Sequence, residues 1–288
     1  MTSPAPGRQN IVAILWMLGA AVSFTVLVVA VRELSDSLPT AEILFFRSTF
    51  SVVLLLPWLF RNGVGAVTTG RPLGHTARCL STFTAMMLWF YAVGQTTLAD
   101  SVAIQSTYPL FTILLASLFL GERPRPIRLA ATGVGILGML IIVRPGMIPM
   151  TTATLMLLGA SICYALSNTF VKWLSDTEPA NRLVFIQNAS IAVLSAVPTV
   201  YFWVDPPWAE VPWIVTLVLS GLSAHMCLTR ALGLGDASLV MPFDYLRLPF
   251  AAILGFLLYM ETPDAGTIIG GVVIFGAVSV IAATERRR

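Results

Sequence analysis

"LGAAVSFTVLVVAVRELSDSLP", residues 18–39, aligns without a gap to "LGASICYALSNTFVKWLSDTEP", residues 158–179, at an offset of 140. Leu18, Gly19, Ala20, Val31, Leu34, Ser35, Asp36 and Pro39 recur as Leu158, Gly159, Ala160, Val171, Leu174, Ser175, Asp176 and Pro179. Farther along the offset becomes 139. There Ala92, Gly94, Phe111, Leu115, Leu118, Glu122 and Pro124 match Ala231, Gly233, Phe250, Leu254, Leu257, Glu261 and Pro263. The chain therefore reads as one unit written twice, over residues 1–147 and 148–288.

Each unit consists of apolar spans. Of the 288 residues, 57% are apolar and only 11% charged, whereas a soluble globule carries about 25% charge. Spans of roughly 17 to 25 residues cross the hydrocarbon core of a bilayer. Ten candidates appear, at 11–31, 41–60, 77–94, 101–120, 128–143, 152–172, 180–202, 212–232, 238–259 and 264–283. The breaks between them carry turn residues, as in "RNGVGAVTTGRP", "GERPRP" and "VDPPWAEVP". Five spans per unit is an odd number, so the second unit enters the bilayer upside down. The expected fold is an all-α membrane protein with ten transmembrane helices as two inverted five-helix repeats, with the site near the midplane between them.

Several function classes fall away. The net charge of +3 comes without a basic stripe interleaved with aromatics, so no nucleic-acid partner is expected. Cys79, Cys163 and Cys227 are odd in number and far apart, which reads as buried thiols rather than a disulfide framework or metal site. The first span is too long for a signal-peptide core and is read as retained. "GVGILG" at 133–138 has dinucleotide spacing but no preceding strand. Its glycines, with Gly266, Gly270, Gly271 and Gly276, suit close helix contacts. "NAS" at 188–190 lies within a span, and no phosphate-binding loop, nucleophile elbow or zinc helix is present. No cofactor is expected. An enzyme would cluster catalytic groups at one interface and a sensor would append a soluble output domain. The expectation is neither.

Further stretches carry a family resemblance: "FFR" at 45–47, "LWFYAV" at 88–93, "YPLFTILLASLFLGERP" at 108–124 and "IIVRPG" closing the first unit. Across nearly the whole chain the sequence resembles the EamA-type branch of the drug/metabolite transporter superfamily. The resemblance implies ten helices, a central cavity and alternating access. Members move amino acids, nucleotide sugars, vitamins such as riboflavin, S-adenosylmethionine and other metabolites, so the substrate stays open among them. A broad-specificity drug exporter is the alternative within transport.

The site is sought where polar residues sit at membrane depth. In "MPFDYLRLPF", residues 241–250, Asp244 and Arg247 fall three apart on one helical face. A charge at mid-membrane costs roughly 2.5–3.5 kcal/mol on insertion scales, so such residues face the bundle interior or a wet cavity. Pro249 and Pro109 each remove a helical N–H, freeing the carbonyls of Tyr245 and Gln105. The 139 offset sets Gln105 against Asp244 and Tyr108 against Arg247, and paired interruptions of this kind point to a transport site. Arg47 is the other intramembrane cation; it either lines the cavity or pairs with Glu42, and its repeat mate is Gln187. Trp89, Tyr91, Tyr164 and Asn168 complete the candidate substrate-binding set. Trp16 and His225 are weaker candidates, the histidine reading as packed. Asp244 and Glu42 are the carboxylates through which proton coupling would run. The expected partners are a small-molecule substrate and the lipid bilayer, as a monomer or homodimer.

Basic residues set the orientation. With the N-terminus inside, the cytoplasmic side collects Arg8, Arg61, Arg71, Arg78, Arg123, Arg125, Arg128, Lys172, Arg182, Arg230 and Arg286–Arg288, against Arg32 and Arg144 outside. That bias of 13 to 2 predicts both termini cytoplasmic, in the plasma (inner) membrane. In intact cells, a membrane-impermeant maleimide should label a cysteine placed at 207 and leave one at 126 protected. The reverse pattern inverts the topology.

Overall fold

The computed structural model describes residues 6–93, 95, 104–105, 107–122, 124–143, 151–260 and 265–286. Arg123, Arg144, Arg287 and Arg288 of the charge tally, and Gly94, Glu261 and Pro263 of the repeat, lie outside the described residues. Among the described residues there are ten helices of 13 residues or more and no strand. They are α1 (Pro6–Ser35), α2 (Thr40–Asn62), α3 (Pro72–Val93), α4 (Tyr108–Leu120) and α5 (Pro126–Val143). Then follow α6 (Thr152–Ser175), α7 (Ala180–Tyr201), α8 (Val211–Leu234), α9 (Arg247–Tyr259) and α10 (Ala265–Arg286).

Among the described residues, six stretches are long and apolar enough to cross a membrane: Gln9–Ser35, Thr40–Asn62, Thr152–Ser175, Ala180–Tyr201, Trp208–Leu234 and Ala237–Leu258. Shorter apolar helices run over Tyr108–Leu120, Pro126–Ile141 and Ile268–Thr284. Helix α3, which carries His75 and Arg78, belongs to neither group. Large apolar side chains such as Leu15, Val193, Val200 and Phe275 stand outward and exposed, the inverse of a soluble surface.

The main helix pairs are α1 with α8, α3 with α6, α5 with α10, and α2 with α7. Advancing each member by one repeat returns the same set: α1–α8 becomes α6–α3, and α2–α7 and α5–α10 map onto themselves. Local structure repeats likewise. Pro39 and Pro179 stand in extended backbone immediately before α2 and α7, where a missing N–H and a preset φ cost nothing. Helices α4 and α9 are both 13 residues long and begin at Tyr108 and Arg247, 139 apart. Both end on a left-handed residue, Gly121 at φ 68° and Met260 at φ 56°.

The stretch 238–259, expected as one span interrupted at Pro249, is one apolar stretch over Ala237–Leu258 whose interruption lies before Arg247 rather than at the proline. A short helical turn at Ala237–Val240 passes into a 3-10 segment at Met241–Leu246 before α9 starts. Pro249 therefore lies in the first turn of α9, where no N–H is required of it. The Arg247 N–H reaches the carbonyls of Asp244 and Tyr245, so the carbonyl freed by Pro249 has a partner.

Helices in lipid gain little from burying apolar surface against one another and depend on close packing. At the α5–α10 contact a Cβ on Gly138 would stand 2.9 Å from the Gly270 carbonyl oxygen and 2.8 Å from Ile274 Cγ1. Gly133 and Gly276, read from sequence as contact residues too, meet nothing within 4 Å. Gly138→Ala should therefore lower the melting temperature in detergent, because backbone cannot yield as a side-chain tip can. Met260→Gly should raise stability by about 1 kcal/mol by removing left-handed strain at a non-glycine residue. An unchanged Gly138→Ala melt contradicts the tight α5–α10 contact.

Candidate functional site

Most buried hydroxyls in this bundle satisfy themselves. Thr25, Ser51, Thr82, Ser161, Thr169, Ser195 and Thr199 each donate to the carbonyl four residues back, as helices in lipid allow. Of the polar groups left over, Arg47, Arg78, Gln105, Asn168, Gln187, His225 and Arg247 line a central cavity enclosed by α1, α2, α3, α6, α7 and α8, with residues at the starts of α4 and α9. Its volume, counted as room for the centres of water molecules, is about 60 Å³. One water needs roughly 10–15 Å³ on that measure, so this conformation holds a few waters rather than a metabolite.

Three guanidiniums line the cavity. Arg78, on α3, is buried, donates 2.7 Å to the Leu183 carbonyl and bonds the Gln187 side-chain oxygen. Gln187 in turn bonds His225 Nδ1 at 3.3 Å, and His225 packs edge-on to Phe24 with centroids 5.3 Å apart. Arg247 lies over the other part of that ring at 4.5 Å and bonds Asp244 Oδ2 at 3.3 Å. The Tyr108 hydroxyl interacts with both Asp244 and Arg247. Arg47, on α2, is 1% exposed. Its one polar contact is Nη2 to Met86 Sδ at 3.5 Å, and its Nε has no partner. The stem of Arg47 lies on Gly221, where a Cβ would come within 3.1 Å of it.

Eight of the ten candidates meet here: Arg47, Trp89, Gln105, Tyr108, Tyr164, Asn168, Gln187 and Arg247. Two do not. Tyr91 is 56% exposed on the outer surface, because Trp89 faces inward and two residues turn a helix by about 200°. Asp244 is 3% exposed and stands behind Arg247 rather than on the cavity wall. Glu42 does not pair with Arg47; its carboxylate accepts from the Val204 N–H at 3.1 Å. Trp16 lies under the guanidinium of Arg230 instead. His225, read as packed, lines the cavity as well.

Sequence reasoning missed Arg78, Thr82, Phe24, Met86, Phe90, Ser167 and Thr229 as lining residues. Arg78 falls by sequence among the cytoplasmic cations, yet it is the seventh residue of α3 and is buried against the cavity. The repeat offsets held the missing signal. Lining residues occur in register-matched pairs: Phe24 with Tyr164, Val28 with Asn168, Arg47 with Gln187, Met86 with His225, Trp89 with Leu228, and Tyr108 with Arg247.

Above and below the cavity, contacts join residues before 147 to residues after 148. At one end Ser37 donates to Glu210 at 3.0 Å, Val204 N–H to Glu42, and Phe46 packs edge-on to Trp203. At the other, Glu178 takes His75 Nε2 at 2.7 Å and the Thr69 hydroxyl. There Arg182 donates to Ala66 O at 2.6 Å, and Arg71 lies over the Trp173 ring while bonding its carbonyl. On the same end Glu122, in the α4–α5 loop, accepts from Ala237 N–H at 3.0 Å and faces Lys172 at 3.8 Å. Burial pushes the Glu122 carboxyl above its ordinary value, and Lys172 offsets part of that.

The model of the EamA-like transporter family matches residues 11–144 and again 151–283. A riboflavin transporter of Rhizobium johnstonii is 29% identical over 98% of this chain and 94% of its own. An S-adenosylmethionine uptake transporter of Rickettsia felis is 29% identical over 94% of this chain and 92% of its own. A pseudopaline exporter of Pseudomonas aeruginosa is 31% identical over 93% and 94%. A solved crystal structure with 18% sequence identity superposes with a TM-score of 0.81, covering 96% of this chain and 98% of that one. It shares the fold.

The Asp244–Arg247 pair gives a stability test. Removing one partner strands the other charge in a buried site, a cost of about 3–5 kcal/mol, whereas removing both is often near neutral. Arg247→Gln should lower the melting temperature more than Asp244→Asn with Arg247→Gln together. Additive losses would show that the two side chains do not act as a pair.

Proposed function

The chain belongs to the EamA-like transporter family, and we propose that it is a secondary transporter carrying one small organic metabolite across the plasma membrane by alternating access. The observation that carries this reading is a central cavity lined by polar side chains, with contacts between the first and second halves of the chain at each end of the bundle. The halves, residues 1–147 and 148–288, act as two inverted five-helix repeats. The self-mapping helix pairs and the register-matched cavity residues support that arrangement. Both termini are cytoplasmic in this reading. The Glu178 cluster is then the inner gate and the Ser37–Glu210 and Glu42–Val204 contacts are the outer one. Each gate opens by rocking one half against the other around a fixed site, as in other inverted-repeat transporters.

The substrate belongs to the size class of the relatives' cargo, whose names span S-adenosylmethionine, riboflavin and pseudopaline. Arg47, Trp89, Gln105, Tyr108, Tyr164, Asn168, Gln187 and Arg247 form its binding surface. Asp244 acts by holding Arg247. A broad-specificity exporter fits less well, because several guanidiniums fixed by hydrogen bonds and stacking impose a charge requirement on the cargo.

Cysteines at 37 and 210, joined by a short bis-methanethiosulfonate linker in a protein otherwise free of cysteine, should stop uptake into proteoliposomes. A pair at 69 and 178 should do the same, each block being released by reductant. Transport at the unlinked rate in fully cross-linked protein would sink alternating access between these halves.

A further inference from the structure

We propose that the cavity is an anion site, selecting an organic substrate that carries a carboxylate or phosphate on an aromatic or apolar body. This rests on the transport reading above and specifies its cargo. Among the described residues, those lining the cavity include three arginines and no aspartate or glutamate. Asp244 neutralises one of them, Arg247, from behind. Arg78 is held by neutral acceptors, a backbone carbonyl and an amide oxygen. Arg47 meets only a thioether. Its buried Nε lacks an acceptor, as do Arg78 Nε and the Trp89 indole N–H. These three unpartnered groups of the wall are all donors, which a substrate's acceptor oxygens would satisfy.

Buried cations are ordinarily paired, and an unpaired one in a hydrophobic bundle is costly to keep. Guanidinium presents a planar fork that matches a carboxylate or phosphate in two parallel bonds. Arg47 is positioned for that role. Gly221 lets its stem lie flat, and Tyr164 stands within electrostatic reach of both Arg47 and Arg247. Phe24, Trp89 and Phe90 supply a face for a ring. A cationic ligand placed among these side chains meets like charge in a medium where screening is weak. The site therefore sorts cargo by charge before it sorts by shape.

The test uses the purified full-length protein and ligand series of fixed body and changing charge. The first series is indole-3-acetate, tryptophan and tryptamine. The second is riboflavin 5′-phosphate against riboflavin, and the third S-adenosylhomocysteine against S-adenosylmethionine. In every series that binds, the most anionic member should raise the melting temperature most. Arg47→Gln should weaken that member roughly ten- to a hundredfold and erase the order, as loss of a charge-assisted bond requires. Arg47→Lys should keep the order with reduced affinity, since the charge stays and the fork is lost. A cation that binds as well as its anion overturns the proposal, as does an order that survives in Arg47→Gln. Silence of all the anions at millimolar concentration also overturns it. Proteoliposome uptake separates this from the broader reading. Saturable uptake of a cation leaves a transporter without an anion site, whereas Arg47-dependent anion binding without uptake leaves an anion site without a transporter.

Discussion

A guanidinium cannot rest in hydrocarbon, and Arg47 sits seven residues into α2, roughly 10 Å along the helix axis. Insertion scales put the cost at about 2.5–3.5 kcal/mol for one such group, and three arginines converge in this bundle. The architecture answers that constraint. Helices α2, α3, α6 and α8 turn their polar residues inward, and their outer faces carry leucine, valine and phenylalanine. The interrupted stretch before α9 brings Arg247 to the same place from another direction.

Backbone symmetry and side-chain asymmetry divide the work. Positions related by the repeat offset face the same cavity, yet their chemistry differs. Phe24, Val28 and Met86 are apolar where Tyr164, Asn168 and His225 are polar. The shared backbone suits the two rocking halves proposed above. The divergent side chains set aromatic and cationic groups together on one wall, as where Arg247 lies over the Phe24 ring.

Much of the fold was legible in the sequence, because a repeat and a run of apolar spans are one-dimensional signals. The matched starts of α4 and α9 follow from Pro109 and Pro249 through the 139 offset. The offset did not reveal that both prolines sit in a first turn rather than at a kink. That outcome depends on Pro242 and the 3-10 segment before Arg247, which is tertiary packing. For the site, depth within a span found Arg47, Arg247 and Gln187 but misread Arg78. Arg78 lies close to a loop in sequence yet is covered in space by α7. Tyr91 failed for the opposite reason: aromatic character does not say which way a helix face is turned, and only the position of Trp89 decides it.

The most direct test is the accessibility of the cavity wall itself. The Ser167 hydroxyl on α6 bonds the Thr82 hydroxyl on α3 at 2.6 Å, and both line the cavity. A single cysteine at 167, with the three native cysteines replaced, would be exposed to a membrane-impermeant thiosulfonate from each side of sealed, oriented proteoliposomes. Alternating access predicts reaction from both sides, with protection by bound ligand, and no reaction at the outward-facing position 193. Reaction from only one side, under every ligand condition, would show a one-sided pit and contradict the account.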